Sequence, residues 1–236
     1  MDIFKQAFKD LPPGRLLDVA TGSGGFIHLL VENLPGYTEI IGVDNLQKAL
    51  DAARQAFPQG NIHFMNMDAA HLEFAGASFD TVCMANSLHH MADLPQVLAE
   101  MLRLLAPSGH LLIAEMYQDG QTEAQLTHVY LHHWWAAVDT AAGVCHNETF
   151  TRQQIVDITE GLGLKQLAFY DYADLDSDPK DPETLRQLDE IIDRTIQRCQ
   201  GLPSAATLIQ RGEELRQRVK SIGFHSAGGL LVIGEK

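Results

Sequence analysis

The sequence predicts an α/β fold, an open sheet of mostly parallel strands with helices on both faces. Three observations carry this. Short apolar runs alternate with stretches of helical period from Arg15 onward, the signature of βαβ units. A glycine-rich turn, Thr21-Gly22-Ser23-Gly24-Gly25, follows directly on the first apolar run. The composition, 45% apolar and 20% charged over 236 residues, is that of a chain able to enclose a core. At roughly 150 residues per domain this length corresponds to one or two domains, and the unbroken alternation favours a single domain over 1–236.

Taken in order, Leu16 to Ala20 is the first strand, and the glycine turn leads from it into a helix carrying Phe26, Leu29, Leu30 and Leu34, ended by Pro35-Gly36. Ile40 to Val43 is the second strand. Asn45 is expected to cap the next helix, whose Leu46, Ala49, Leu50, Ala53 and Phe57 recur at helical spacing. Strands are expected at Ile62 to Met67, Thr81 to Ala85 and His110 to Ala114, the last after a type I turn at Ala106-Pro107-Ser108-Gly109. Asp93 to Leu105 supplies a helix, with Pro95 tolerated in its first turn. Thr122 with Gln125, and Thr151 with Gln154, have capping-box spacing. The first opens a helix to Ala142 that Gly143 can end; the second opens a helix through Ile155, Ile158 and Leu162 that leads into a strand at Gln166 to Tyr170. Asp171 to Asp181 reads as a solvated loop. Two amphipathic helices follow, one with Leu185, Leu188, Ile192, Ile196 and Cys199, the other capped by Ser204 with Leu208, Leu215, Val219 and Ile222. The run Gly229 to Ile233 closes the sheet.

Formal charge is 17 − 31 = −14. The summed field repels phosphate backbones and anionic lipid, so neither nucleic acid nor membrane is expected as a partner. Cys83, Cys145 and Cys199 are too few and too scattered for a disulfide framework or a zinc clip, which suits a reducing, cytoplasmic setting. The residues Met1-Asp2-Ile3-Phe4-Lys5-Gln6 lack the apolar core of a signal peptide, and no apolar run approaches the ~18 residues of a membrane span.

The glycine turn carries the first chemistry. Glycines admit positive φ and close approach of a ligand, and the helix that follows presents free N–H groups and the positive end of its dipole. Asp44 stands at the carboxyl end of the second strand, 20 residues beyond Gly24, where an acid accepts from both hydroxyls of a ribose. The run Gly22-Ser23-Gly24-Gly25-Phe26-Ile27 has isoleucine where the dinucleotide fingerprint has its third glycine, so a nicotinamide-dependent oxidoreductase is the alternative rather than the preferred reading.

Four motifs, in order, resemble the class I S-adenosylmethionine-dependent methyltransferases, in particular the branch of the ubiquinone and menaquinone C-methyltransferases. They are Leu17-Asp18-Val19-Ala20-Thr21-Gly22-Ser23-Gly24, the acid Asp44, Asn66-Met67-Asp68-Ala69, and Phe79-Asp80-Thr81-Val82-Cys83-Met84-Ala85-Asn86-Ser87-Leu88-His89-His90, followed by Leu105 to Leu111. The likeness covers Leu16 to Glu115 well and the later strands only by pattern. It implies a Rossmann-like sheet with an antiparallel last strand, S-adenosyl-L-methionine as cofactor, and methyl transfer to a small-molecule acceptor by in-line displacement. It implies that the Ala20, Gly22 and Gly24 backbone flanks the methionine moiety and that Asp18 holds its amino group. Asp44 binds the ribose, Asp68 and Ala69 the adenine, Asn45 or Leu46 cover the ring, and Asn86 adjoins the methyl group. Ala20 stands where a glycine is common in the family. The plainer reading of Asp18 and Asp80 is that they tie loops. A cofactor-binding module without turnover is a second alternative.

Displacement at a sulfonium needs alignment in a dry site more than it needs a catalytic side chain. Where the acceptor loses a proton, histidine titrates in the useful range, and His89, His90 and His132 are the candidates, against a capping or packing role. In this fold the segment after the fifth strand, 116–150, commonly roofs the acceptor site. There His128, His132, Trp135 and Asp139 share one helical stripe, with His146 and Glu148 just beyond. The expectation is that His128, Trp135 and His146 face substrate. A solvated face is the plainer reading, and His128 with His132 as an i, i+4 metal pair, joined by Asp139 or His146, is the third. The 171–223 insertion reads as a lid, a dimer contact or an added layer, and its acidity disfavours anionic acceptors. Asn86-Ser87-Leu88-His89 is not the signature of nucleobase amino methylation.

Overall fold

In the computed structural model, which describes residues 3–12, 14–58 and 60–236, every expected strand is present. They are β1 (Arg15–Val19), β2 (Glu39–Asp44), β3 (Ile62–Asn66), β4 (Phe79–Ala85), β5 (Leu105–Met116), β6 (Lys165–Tyr172) and β7 (Gly229–Glu235). Met1 and Asp2 of the amino-terminal reading lie outside the described residues. The strands form one sheet in the order β3-β2-β1-β4-β5-β7-β6. β1 pairs in parallel with β2 and β4, β2 with β3, and β4 with β5. β7 runs antiparallel to both β5 and β6, so the last strand alone is reversed. The pairings Val19↔Val43 and Val19↔Met84 bring the carboxyl ends of β1, β2 and β4 to one edge.

The central strands are apolar on both faces, as parallel strands covered by helices must be. Along β1, Leu17 and Val19 enter one core while Leu16 enters the other, the period-two alternation of a pleated strand. One core takes α4 (Leu94–Leu104) and α6 (Arg152–Glu160); the other takes α1 (Ile3–Phe8), α2 (Gly25–Asn33) and α3 (Gln47–Ala56). Both expected capping boxes form, at Thr122 and Thr151, and Asp93 caps α4 by accepting from Gln96 N at 3.1 Å.

Several local expectations are corrected. Asn45 does not cap α3; Leu46 occupies that position, and the Asp44 carboxylate takes the Leu46 N–H at 2.8 Å, so the acid of β2 does the work expected of its neighbour. Ala106 to Gly109 is not a free turn. It is drawn into β5, which begins at Leu105, by pairing with β4 through a register shift between Phe79 and Thr81. Ser204 precedes its helix with φ +60° and makes no side-chain cap. Asp171 belongs to β6 rather than the loop, held by an Arg152 ion pair at 2.6 Å. Helix α1 carried no periodic signal in so short a stretch.

α5 (Glu123–Ala141), α7 (Pro182–Cys199) and α8 (Ala205–Ile222) make a third core of their own, centred on Leu131, Trp134, Val138, Leu188, Ile192 and Leu215. The apolar faces of the insertion are therefore spent against α5 of the same chain. Gly212 is where α8 crosses α5: a Cβ there would lie 2.5 Å from the Trp134 ring, and Trp134 is fixed by donating its indole N–H to Leu208 O at 2.8 Å. Among the described residues no helix is long and apolar enough to cross a membrane.

Gly212→Val should overpack this crossing and reduce unfolding free energy by about 1–3 kcal/mol, seen as a lower urea midpoint at unchanged slope. An unchanged midpoint would mean that the two helices are free to separate.

Candidate functional site

The sheet order reverses between β1 and β4, and in open α/β sheets the crevice at such a switch point, beyond the carboxyl ends of the strands, is where ligands sit. Here it is a cleft of about 470 Å³ with Asp18, Ala20 and Gly22 on one wall and Ala85, Asn86 and Ser87 on the other; Phe4 and Tyr172 border it. The chain turns sharply on both walls. Ala20 (φ +57°) and Asn86 (φ +46°) hold left-handed backbone that costs a residue with a Cβ roughly 1–2 kcal/mol. The strain is held by hydrogen bonds: Thr21 N to Val43 O at 2.9 Å on one side, and Asn86 N to Ala114 O at 2.7 Å on the other. Asn86 Oδ1 also accepts from Met116 N at 3.1 Å.

Asp18 is buried at the floor of the cleft. It accepts from Thr21 Oγ1 at 2.6 Å; Cys83 Sγ lies 3.5 Å from its other oxygen. Burial pushes its carboxyl up to about 7, the hydrogen bonds from Thr21 and Cys83 opposing. It thus both ties the turn and faces the cavity. Asp80, by contrast, only ties: it accepts from Arg15 N at 2.8 Å. Asp44 Oδ2 accepts from Gly22 N at 2.9 Å while Oδ1 holds Leu46 N, which pins the glycine turn to the end of β2 and leaves each oxygen a further lone pair. Met67 N donates to Asp44 O at 3.1 Å, so the ends of β2 and β3 lie side by side. Asp68, which accepts from Ala70 N at 2.9 Å, and Ala69 stand on this rim with Asn45 and the exposed Leu46. Of the cofactor candidates, Asp18, Ala20, Gly22 and Asn86 line the cleft and Gly24 opens α2; Asp44, Asn45, Leu46, Asp68 and Ala69 form the adjoining rim rather than its lining.

The histidines gather elsewhere. Leu88–His90 is a single 3-10 turn just past Asn86 and Ser87. His132 on α5 places Nε2 3.1 Å from His89 Nε2 and 3.3 Å from His146 Nε2, and the His90 ring lies 4.1 Å from the His146 ring. Burial and the neighbouring imidazoles push His132 down to about 2 and His90 to about 4, so both are neutral near pH 7. Two members of the predicted stripe do not join. His128 Nδ1 accepts from Ala227 N at 2.9 Å and its ring packs on Phe224, while Trp135 turns into the core of the helical cap. His128 therefore stays outside the group that gathers around His132: Ala227 N occupies its Nδ1, and the histidines whose nitrogens converge are His89, His90, His132 and His146. None of His90, His128, His132, Trp135 or His146 lines the cleft itself.

Two residues outside the sequence reading matter here. Glu115, wholly buried at the end of β5, accepts from Leu88 N and His89 Nδ1, each at 2.9 Å; an acid ending a buried apolar strand was the available signal. Tyr172 joins the cleft because β6 reaches two residues further than expected.

Comparisons with known proteins bear on the sheet and on the segment that carries the glycine turn. Residues 16–109 match a family described as a methyltransferase domain. A demethylmenaquinone methyltransferase of Deinococcus radiodurans is 45% identical over 105 residues, 44% of this chain and 43% of that protein; the chain spans less than half the length of this relative. Among solved structures, a candidate methyltransferase of Bacillus halodurans superposes with a TM-score of 0.63 at 16% identity, covering 100% of this chain and 98% of the other. A Haemonchus contortus phosphoethanolamine N-methyltransferase in complex with S-adenosyl-L-methionine gives 0.59 at 18% identity, with 98% of this chain and 50% of the other covered. At these identities the structures show the shared fold.

Asp18 sets a testable pH dependence. Its folded-state carboxyl, near 7, lies above the ordinary 3.8, so the folded state holds the extra proton. The stabilisation is full below about pH 4 and is lost as pH rises through 7, on the order of a few kcal/mol. His128, held near 4 by burial, acts oppositely, removing stability as pH falls below about 6.5. The difference in unfolding free energy between the wild type and Asp18→Asn isolates the first effect and should fall by a few kcal/mol between roughly pH 4 and 8; a flat difference would show that Asp18 is ionised throughout.

Proposed function

We propose that this chain, whose residues 16–109 match a methyltransferase-domain family, is a class I methyltransferase that passes the methyl group of S-adenosyl-L-methionine to a small-molecule acceptor. The observation that carries the reading is the cleft at the β1–β4 switch point with buried Asp18 on its floor and the glycine turn on its wall. The residues present fit the cofactor. At Gly22 and Gly25 an added Cβ would meet nothing within 4 Å, so the turn leaves room for a ligand against the backbone. The free N–H groups opening α2 suit a carboxylate, Asp18 suits an ammonium, and Asp44 keeps lone pairs for a vicinal diol. When bound, the cofactor supplies a methyl group activated on a sulfonium.

The chain's own part is positional. Asn86, fixed by Ala114 and Met116, holds the β4 wall rigid, and the rings of Phe4 and Tyr172, with centroids 4.9 Å apart, limit water on the opposite border. His90, neutral and solvent-accessible just past that wall, is the group placed to accept an acceptor proton, with His132 and His146 behind it. The 116–150 segment and the 171–223 helices, which share one core, serve as the roof on the acceptor side. The nicotinamide alternative is disfavoured because Ile27, at the third-glycine position, is fully buried in the core beneath α2, where a dinucleotide fold brings helix and strand into close contact.

The name of the Deinococcus relative makes a demethylated naphthoquinol the first acceptor to test, and the family match ends at residue 109, ahead of the cap that would select it. Incubation with isotopically labelled donor and a panel led by that quinol should yield labelled product. Tight S-adenosylhomocysteine binding with no product from any acceptor would favour a binding module, and NADH binding in its place would favour the oxidoreductase. In calorimetry, Asp44→Ala should weaken S-adenosylhomocysteine by about 1–3 kcal/mol, roughly fivefold to 150-fold, through loss of charge-assisted hydrogen bonds and of the pinned turn. Unchanged affinity would remove Asp44 from the site.

A further inference from the structure

Among the described residues, one group of side chains has the donor set of a metal site: His89, His90, His132 and His146, each of which offers one ring nitrogen within 4.8 Å of those of the others. The tautomers of two of them are fixed by carboxylates. His89 Nδ1 is 2.9 Å from Glu115 Oε1, and His146 Nδ1 is 2.7 Å from Asp139 Oδ2; a carboxylate accepts, so each Nδ1 carries the proton and each Nε2 presents a lone pair. Both lone pairs point at His132 Nε2, at 3.1 and 3.3 Å. One imidazole N–H cannot satisfy two acceptors equally, and among the described residues His132 Nδ1, also buried, has no partner. Three ring nitrogens thus converge with at most one proton between them, an arrangement that a cation resolves.

The spacing fits. Four nitrogens held tetrahedrally at 2.0–2.1 Å from one ion are about 3.3 Å apart. The carboxylate behind each of two histidines is the arrangement that orients and strengthens imidazole ligands. The framework is also built in advance: Asn147 donates to His89 O through both its backbone N and its side chain, at 2.9 and 3.1 Å, and Thr140 Oγ1 donates to His146 O at 3.0 Å, while Arg198 pairs with the other oxygen of Asp139. His89, His132 and His146 are buried; His90 is exposed and can close the fourth position by a side-chain rotation.

We propose that His89, His132 and His146, with His90 as fourth ligand, bind one divalent transition-metal ion of the zinc class. All-imidazole donors select zinc, cobalt or nickel over magnesium and calcium, which want oxygen. None of the four histidines lines the cofactor cleft, and the inference does not rest on the methyl-transfer reading: with the ion bound, His90 is a ligand and no longer a free proton acceptor.

The test uses the full chain without a histidine tag, stripped by chelator and titrated in the absence of cofactor with zinc(II) by calorimetry and with cobalt(II) by visible absorption. One equivalent per chain is expected, with the intense cobalt bands of a four-coordinate site, and zinc-edge absorption of the loaded wild type should show imidazole nitrogens alone. His132→Ala and His146→Ala should abolish stoichiometric binding, His128→Ala should keep it, and Asp139→Asn should weaken it roughly ten- to a hundredfold. Absence of stoichiometric zinc or cobalt binding by the wild type, or binding that survives His132→Ala, would overturn the proposal and leave a proton-sharing cluster. The wild-type edge spectrum needs no variant, so a failure of any substitution to fold does not shield the proposal.

Discussion

The buried carboxylate of Glu115 is the contact on which the far wall of the cleft and the histidine cluster depend. It sits wholly out of solvent at the end of β5 and accepts two hydrogen bonds, from Leu88 N and from His89 Nδ1. A charge taken out of water is costly unless it is paired and hydrogen-bonded, so the turn at Leu88–His90 is held where it satisfies both oxygens. That turn continues the wall formed by Asn86 and Ser87, and its His89 carbonyl anchors Asn147. The cleft wall and the histidine cluster are in this way joined through one buried hydrogen-bonded pair, formed across 26 residues of sequence.

A second carboxylate does the matching work on the other wall. Asp44 joins the end of β2 to the glycine turn through Gly22 N and to the start of α3 through Leu46 N. With Asp18 tying Thr21 from below, the turn is gripped by acids on two sides. The glycines give the backbone its left-handed freedom; the carboxylates choose which conformer is kept. Such a site is rigid before any ligand arrives, and preorganisation of this kind reduces the ordering cost of binding.

The sheet half and the helical cap divide the protein's character between them. The segment that matches a methyltransferase-domain family ends at residue 109 and supplies most of the cleft lining, with Phe4, Ala114 and Tyr172 completing it from outside. The cap, α5 with α7 and α8, packs around Trp134 and Gly212 and has its own core. Arg216 links α8 to α7 through Asp189 and Asp193, and Arg218 reaches Glu123 at the start of α5. The long 171–223 segment is therefore a layer on α5, and α5 in turn supplies His132 to the cluster.

Local sequence alone determined the strands, the glycine turn, both capping boxes and the acids at the strand ends, because each is written within a few residues: alternation, a run of glycines, Thr three before Gln, an acid after an apolar run. It also brought Asp18 and Asn86 to the cleft, since the carboxyl ends of parallel strands must share one edge. Tertiary structure alone decided what depends on distant partners. Asp44 displaced Asn45 as the group that starts α3 because it could reach the Leu46 N–H and Gly22 together. Pairing with β4 absorbed the Ala106 to Gly109 turn into β5. His128, placed by period beside His132, was claimed by Ala227 N from 99 residues away, while His89 and His146, on neither the same helix nor the same stripe, converged on His132. Helical spacing fixes where a side chain leaves its helix; only the packed chain fixes what it meets.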